Sequence, residues 1–253
     1  MLTEPTIDKL KTLHLYVMAN AWIAQRSDTT MLEIDFDARF GMLVEAETLA
    51  RDNKKIDRLL REAKLRIPSA SLEDIDFSAK RELDRTMVRS LGTGRWIAEH
   101  QNVLITGMTG VGKTYIACAL AQLACRLGLR AAYRRAPRLL EELALARADG
   151  TYSHLLKRFG KANVMVLDDF GLEPMTAQQR KDLLEILDDR YNLNSTIITS
   201  QLEPKEWHAV IGDPTLADAI CDRLVHNAHR IKLAPSESIR KSEGLTTKPK
   251  AAK

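Results

Sequence analysis

The 253-residue chain predicts an α/β fold, a five-stranded parallel sheet between helices, behind a small all-helical N-terminal domain. Three observations predict it. Short apolar runs recur at "NVLIT", "AAYRR", "NVMVLDD", "STIITS" and "RIKLA", separated by segments of helical period. That alternation argues for parallel strands covered on both faces. A glycine-rich turn, "GMTGVGKT", follows the first run directly, and no strand signal precedes about residue 66.

The elements follow in order. "IDKLKTLHLYVMANAWIAQRS" places Leu10, Leu13, Val17 and Ala21 on one helical face. "DARFGMLVEAETLARDNKKIDRLLREAKL" does the same with Phe40, Leu43, Ile56, Leu59 and Leu60. These make residues 1–66 a helical domain for DNA or partner contact. Its later part is basic: Arg51, Lys54, Lys55, Arg58, Arg61, Lys64 and Arg66. Such a run is either a solvated helix face or a phosphate-contacting one, and Lys54, Lys55 and Arg58 are the candidate DNA contacts. "RIPSASLEDIDF" breaks the helix at Pro68, so 67–80 reads as a linker, with Ile75 and Phe77 either touching an adenine or packing at a domain boundary. "SAKRELDRTMVRSL" reads as a helix and opens the main domain, 81–240. The helix after the glycine turn is stopped by Gly128, and Pro137 fits the first turn of "PRLLEELALARA". "AQQRKDLLEILDDRY" and "PTLADAICDRLVHNA" are further helices, and the polar, basic tail 241–253 reads as disordered.

Composition narrows the function. Aromatics are only 5%, which argues against a base-stacking surface, and the formal charge of +4 permits a nucleic-acid partner without demanding one. Cys118, Cys125 and Cys221 have no metal spacing and read as reduced thiols, which points to a cytoplasmic protein. No apolar run reaches transmembrane length and no leader pattern opens the chain, so no membrane partner is expected.

The chemistry lies in the turn. Gly107, Met108, Thr109, Gly110, Val111, Gly112, Lys113 and Thr114 have the spacing of a phosphate-binding loop. Glycines let backbone N–H groups crowd an oxyanion, Lys113 would reach the terminal phosphates of ATP, and Thr114 would be a ligand of Mg²⁺. A plain glycine turn is the rival reading, but the strand before and the helix after are the context that a phosphate loop needs. The chain therefore reads as a nucleoside triphosphate binder. Some fifty residues on, "NVMVLDDF" ends an apolar strand in Asp168 and Asp169. Asp168 would hold Mg²⁺, and Asp169 would orient and deprotonate a water. "TIITSQ" ends the next strand in Thr199, Ser200 and Gln201, placed either to meet the γ-phosphate or its water or merely to end a strand. No arginine-rich lid stands between the strands, which favours hydrolysis over transfer to a metabolite.

"GMTGVGKTYIACAL", "VLDDFGLEPMTAQQRKDLLEILDDRY" and "TIITSQLEPKEWHAVIGDPTLADAICDRLVHNAHRIKL" closely resemble the IstB family, ATP-binding helper proteins of bacterial insertion sequences related to the helicase loader DnaC. The resemblance implies an AAA+ P-loop core, ATP-dependent homo-oligomer assembly on double-stranded DNA and stimulation of a partner transposase. It implies that Gly107 to Thr114 are Walker A, Val164 to Asp169 Walker B, Thr199 to Gln201 sensor 1, and Arg223 the finger that reaches a neighbour's ATP. Asp169 stands where many relatives have Glu, and Gln201 where Asn is common. The chain ends too soon after "RIKLA" for a full C-terminal lid, and Arg240 would supply part of what a lid does. A DnaC-like helicase loader and an ATP-gated DNA clamp with negligible hydrolysis are the alternatives. A neighbouring transposase gene would separate the first, and turnover with and without DNA the second.

Overall fold

The computed structural model describes residues 3–77 and 82–234. The chain divides into two units, Met1–Arg58 and Leu59–Lys253.

In the first unit, α1 (Thr3–Thr12) and α2 (Tyr16–Ser27) are separate helices. The single face expected through Leu10, Leu13, Val17 and Ala21 is broken at His14, whose φ of 60° reverses the chain. Leu13 and Val17 are exposed, and Ala19 is buried. Glu47 of α3 (Phe36–Ala63) accepts hydrogen bonds from the backbone of Val17 and Met18, satisfying orphan N–H groups at the start of α2. This unit holds eight Lys and Arg against ten Asp and Glu, so the chain's positive excess lies beyond Arg58.

The second unit is an α/β layer structure. Its five strands are β1 (Asn102–Thr106), β2 (Ala131–Arg135), β3 (Val164–Phe170), β4 (Ser195–Ser200) and β5 (Ala228–Lys232). They pair in parallel, as the five apolar runs predict, and lie in the order β2-β3-β4-β1-β5. Strand side chains alternate, so both faces are apolar. Val103, Ile105, Val164, Val166 and Ile197 pack towards α4 (Arg85–Gly92) and α6 (Lys113–Arg126). Leu104, Met165, Leu167 and Ile198 pack towards α7 (Ala136–Ala148), α8 (Tyr152–Gly160), α9 (Ala177–Arg190) and α11 (Pro214–Val225). Short helices α5 (Arg95–Ala98) and α10 (Trp207–Ile211) complete the set among the described residues.

The helix expected over "SAKRELDRTMVRSL" begins only at Arg85, where the Asp84 carboxylate accepts from the Thr86 and Met87 N–H groups as an N-cap. Residues 78–81 lie outside the described residues, as do Arg240, the tail 241–253 and the expected lack of a lid. Segment 64–77 has neither helix nor strand, yet Leu65, Ala70 and Ile75 are buried against α6. Pro137 sits in the first turn of α7, and α9 starts with a capping box between Thr176 and Gln179. Among the described residues no helix is long and apolar enough to cross a membrane.

Candidate functional site

The glycine turn leaves the C-terminal end of β1 and delivers the chain to α6. Gly107 has φ 149°, and a Cβ there would lie 2.8 Å from the Leu233 carbonyl oxygen, so the strand can turn beside β5 only without a side chain. Gly112 caps α6 at φ 97°. Met108 and Thr109 are exposed at the tip, while Val111 is buried beneath it. Lys113 is only 7% exposed, and its Nζ donates to the carbonyls of Gly107 (2.7 Å) and Met108 (2.8 Å), so the ammonium is held inside the loop. The N-terminus of α6 aims its positive end at the same place.

Thr114 joins the loop to the acidic pair. Its Oγ1 lies 3.0 and 3.1 Å from the two carboxylate oxygens of Asp168. Asp168 is fully buried and takes two further hydroxyl donors, Tyr133 (2.5 Å) and Thr199 (2.5 Å). Burial first, and the Asp168 carboxylate next, push the Tyr133 phenol far above its ordinary pKa, so Tyr133 remains a proton donor. Thr114 Oγ1 and the Asp168 carboxylate are hard oxygen donors on adjacent elements. That is the sparse protein set Mg²⁺ takes when phosphates supply the remaining ligands. Among the described residues no group of three or more His, Cys, Asp and Glu could hold a metal, so an all-protein cage is absent there.

Asp169 adjoins Asp168 through a break in strand pairing. Leu167 pairs with Ile198 and Phe170 with Ser200, leaving two acids opposite Thr199 alone. This is a bulge, with Asp169 at φ 60°. The Thr199 hydroxyl accepts the Asp169 N–H at 3.0 Å while donating to Asp168. Two guanidinium groups meet the pair. Arg135, ending β2, donates from Nε to Asp169 at 2.9 Å. Arg66 Nη1 stands 3.7 Å from Asp168 Oδ2 and 3.9 Å from Asp169 Oδ2. The neighbouring Tyr133 hydroxyl, above all, holds the Arg66 guanidinium charged.

The crevice thus brings together Gly107 to Thr114, Asp168, Asp169 and Thr199. It does not include Ser200, whose hydroxyl is buried on the other side, donating to Phe170 O and accepting from Leu202 N–H and Trp207 Nε1. Gln201 follows β4 and is exposed. Arg223 lies at the opposite end of the sheet: its carbonyl accepts from Asn102, the first residue of β1, and its Nε pairs with Asp188 at 2.8 Å. Ile75 is buried in the core, and the Phe77 ring lies under Arg85. Lys54, Lys55 and Arg58 are exposed on α3. Tyr133 and Arg135 also line the crevice and were not singled out from the sequence, while Arg66 entered that reading only as the last member of the basic run that begins at Arg51.

The family described as IstB-like ATP binding protein matches residues 8–247. The insertion sequence ATP-binding protein y4pL of Sinorhizobium fredii (strain NBRC 101917 / NGR234) is 48% identical over 243 residues, spanning 96% of this chain and 98% of that one. The ATP-binding protein of insertion sequence IS1162 from Pseudomonas fluorescens is 45% identical over 202 residues, spanning 80% and 87%. Among solved structures, DnaI superposes with a TM-score of 0.56 at 24% identity, over 70% of this chain and 94% of that one. The DnaC helicase loader gives 0.54 at 22%, over 65% and 96%. At those identities the likeness is one of fold.

Proposed function

The chain belongs to the family of IstB-like ATP-binding proteins, and from that premise we propose that it is an ATPase that assembles on double-stranded DNA and assists a partner transposase. The relatives' names place them in insertion sequences, which supports the transposase partner. The observation that carries the enzymatic part is the Thr114–Asp168–Thr199–Asp169 chain, which ties the phosphate loop to two acids at one strand end.

In this reading Lys113 leaves the Gly107 and Met108 carbonyls for the phosphates, which α6 also attracts. Thr114 and Asp168 would hold Mg²⁺, which when bound would offset charge on the phosphates. Asp169 takes a proton from the attacking water, for which its carboxylate must loosen from Arg135. Arg223, far from its own loop, serves the ATP of a neighbouring subunit, and Gln201 positions the γ-phosphate or the water. The exposed stripe Lys54, Lys55 and Arg58 contacts DNA phosphates, weakly in one subunit and additively in an oligomer. We take the setting to be cytoplasmic, the compartment in which free thiols such as Cys118, Cys125 and Cys221 persist. The Arg135–Asp169 pair also suits an ATP-gated clamp that hydrolyses little.

Duplex DNA titrated with and without ATP at several salt concentrations tests the proposal, alongside turnover. Binding should need ATP, rise cooperatively with protein and weaken steeply with salt as counterions are released. Reversing the charge of Lys54, Lys55 and Arg58 should weaken it. Tight, salt-insensitive binding by an ATP-free monomer would sink the assembly model, and DNA retention without turnover would favour the clamp.

A further inference from the structure

Arg66 is held at the acidic pair by its surroundings. Lys64, with φ 53°, turns the chain out of α3, and Leu65 is buried just before Arg66. Leu65 and Ala70, on either side of Arg66, are buried in one cluster with Cys118 of α6. The segment is therefore fixed to the helix that starts at the phosphate loop. The Arg66 side chain is 41% exposed, and its Nη1 stands 3.7 Å from Asp168, the carboxylate to which Tyr133 also donates.

Charge decides what such a group can do. Arg135 is already committed to Asp169 by a 2.9 Å hydrogen bond, and Lys113 to the loop. Arg66 stands within 4 Å of both carboxylates, yet at 3.7 and 3.9 Å it makes a hydrogen bond to neither. A guanidinium has five N–H donors, so Arg66 has donors to offer a planar or tetrahedral oxyanion. A nucleoside triphosphate differs from a diphosphate by one terminal phosphoryl group, which in the nucleotide-site reading would face the acidic pair. Its repulsion by Asp168 and Asp169 is specific to the triphosphate and needs a cation beside both.

We propose that Arg66 is a specificity-determining residue that contacts the terminal phosphate and makes the site prefer nucleoside triphosphate over diphosphate. This rests on the nucleotide-site reading above. The test is calorimetric affinity of the full chain, with excess Mg²⁺, for the imido-bridged non-hydrolysable ATP analogue and for ADP. Arg66→Ala should lose about tenfold or more on the triphosphate analogue, the scale of a charge-assisted hydrogen bond, and less than about twofold on ADP. Arg66→Lys should recover part of the loss, and Arg66→Gln none. These two carry the test if the alanine variant fails to fold. Equal loss on both nucleotides, or no loss on either, overturns the proposal. Lys113→Ala is the separate control: if it binds both nucleotides as the wild type does, the phosphate-loop reading itself fails, whatever Arg66 does.

Discussion

Replacing Thr199 by Val is a nearly isosteric change that removes one buried hydroxyl at the centre of the site. The hydroxyl donates to Asp168 at 2.5 Å and accepts from the Asp169 backbone at 3.0 Å. A hydrogen bond to a charged group contributes about 1.5–3 kcal/mol and a neutral one about 1 kcal/mol. The buried carboxylate keeps Thr114 and Tyr133, so the loss is partial and the expected destabilisation is about 2–4 kcal/mol. In a unit of this size that lowers Tm by about 5–15 °C. Tryptophan fluorescence during guanidinium or thermal unfolding measures it, because Trp96 and Trp207 are buried in the same unit. Turnover should fall about tenfold or more, as it does when the groups that orient a metal ligand are removed. Thr199→Ser keeps the hydroxyl and should retain most of both. If Thr199→Val stays within about 0.5 kcal/mol of the wild type with unchanged turnover, the hydroxyl does not organise the acidic pair.

Asp169→Asn should preserve the bulge, since Asn also tolerates the left-handed backbone, and keep ATP affinity while turnover falls about 100-fold or more; unchanged hydrolysis would remove Asp169 as the base. Arg223→Ala should bind ATP normally yet hydrolyse poorly, by about 10³-fold, and regain activity when mixed with Lys113→Ala, which supplies the missing finger to an intact loop; no recovery at any ratio argues against action between subunits. Burial pushes the Cys118 and Cys125 thiols up to about 11, so thiolate is scarce at neutral pH and grows only as pH nears that value. A thiol reagent at pH 8 should therefore modify the partly exposed Cys221 first and the other two only on unfolding; fast reaction of all three in the native protein would contradict that packing.

Local pattern carried most of the fold. "AAYRR" is β2 residue for residue, and Pro137 marks a helix start because its effect acts within one turn. The misreadings share a cause. The break between α1 and α2 depends on one left-handed residue, His14, and the late start of α4 on the Asp84 cap, neither of which periodicity weighs. The short helix α8 was not among the helices read from the sequence, and it is held by distant partners: the Tyr152 hydroxyl donates to Glu185 and to Asp182, which also pairs with Arg147.

The site divides along the same line. Residues 107–114 are legible because a phosphate loop needs its groups at fixed spacing in one turn. Tyr133, Arg135 and Arg66 are not, because they reach Asp168 and Asp169 only through β2–β3 pairing and the packing of segment 64–77 on α6. The acidic pair itself is the instructive case. Neighbouring residues in a regular strand point to opposite faces, so "DD" at a strand end places one carboxylate in the crevice and sends the other away. Here the pairing shifts between Leu167 and Phe170, and Asp169 takes φ 60°. The extra residue turns the second carboxylate back towards the first, and Arg66 stands within 4 Å of both. Asp and Asn enter that backbone region more readily than β-branched residues do. The residue at 169 is therefore constrained twice, by the charge that Arg135 and Arg66 face and by the backbone that brings the charge there.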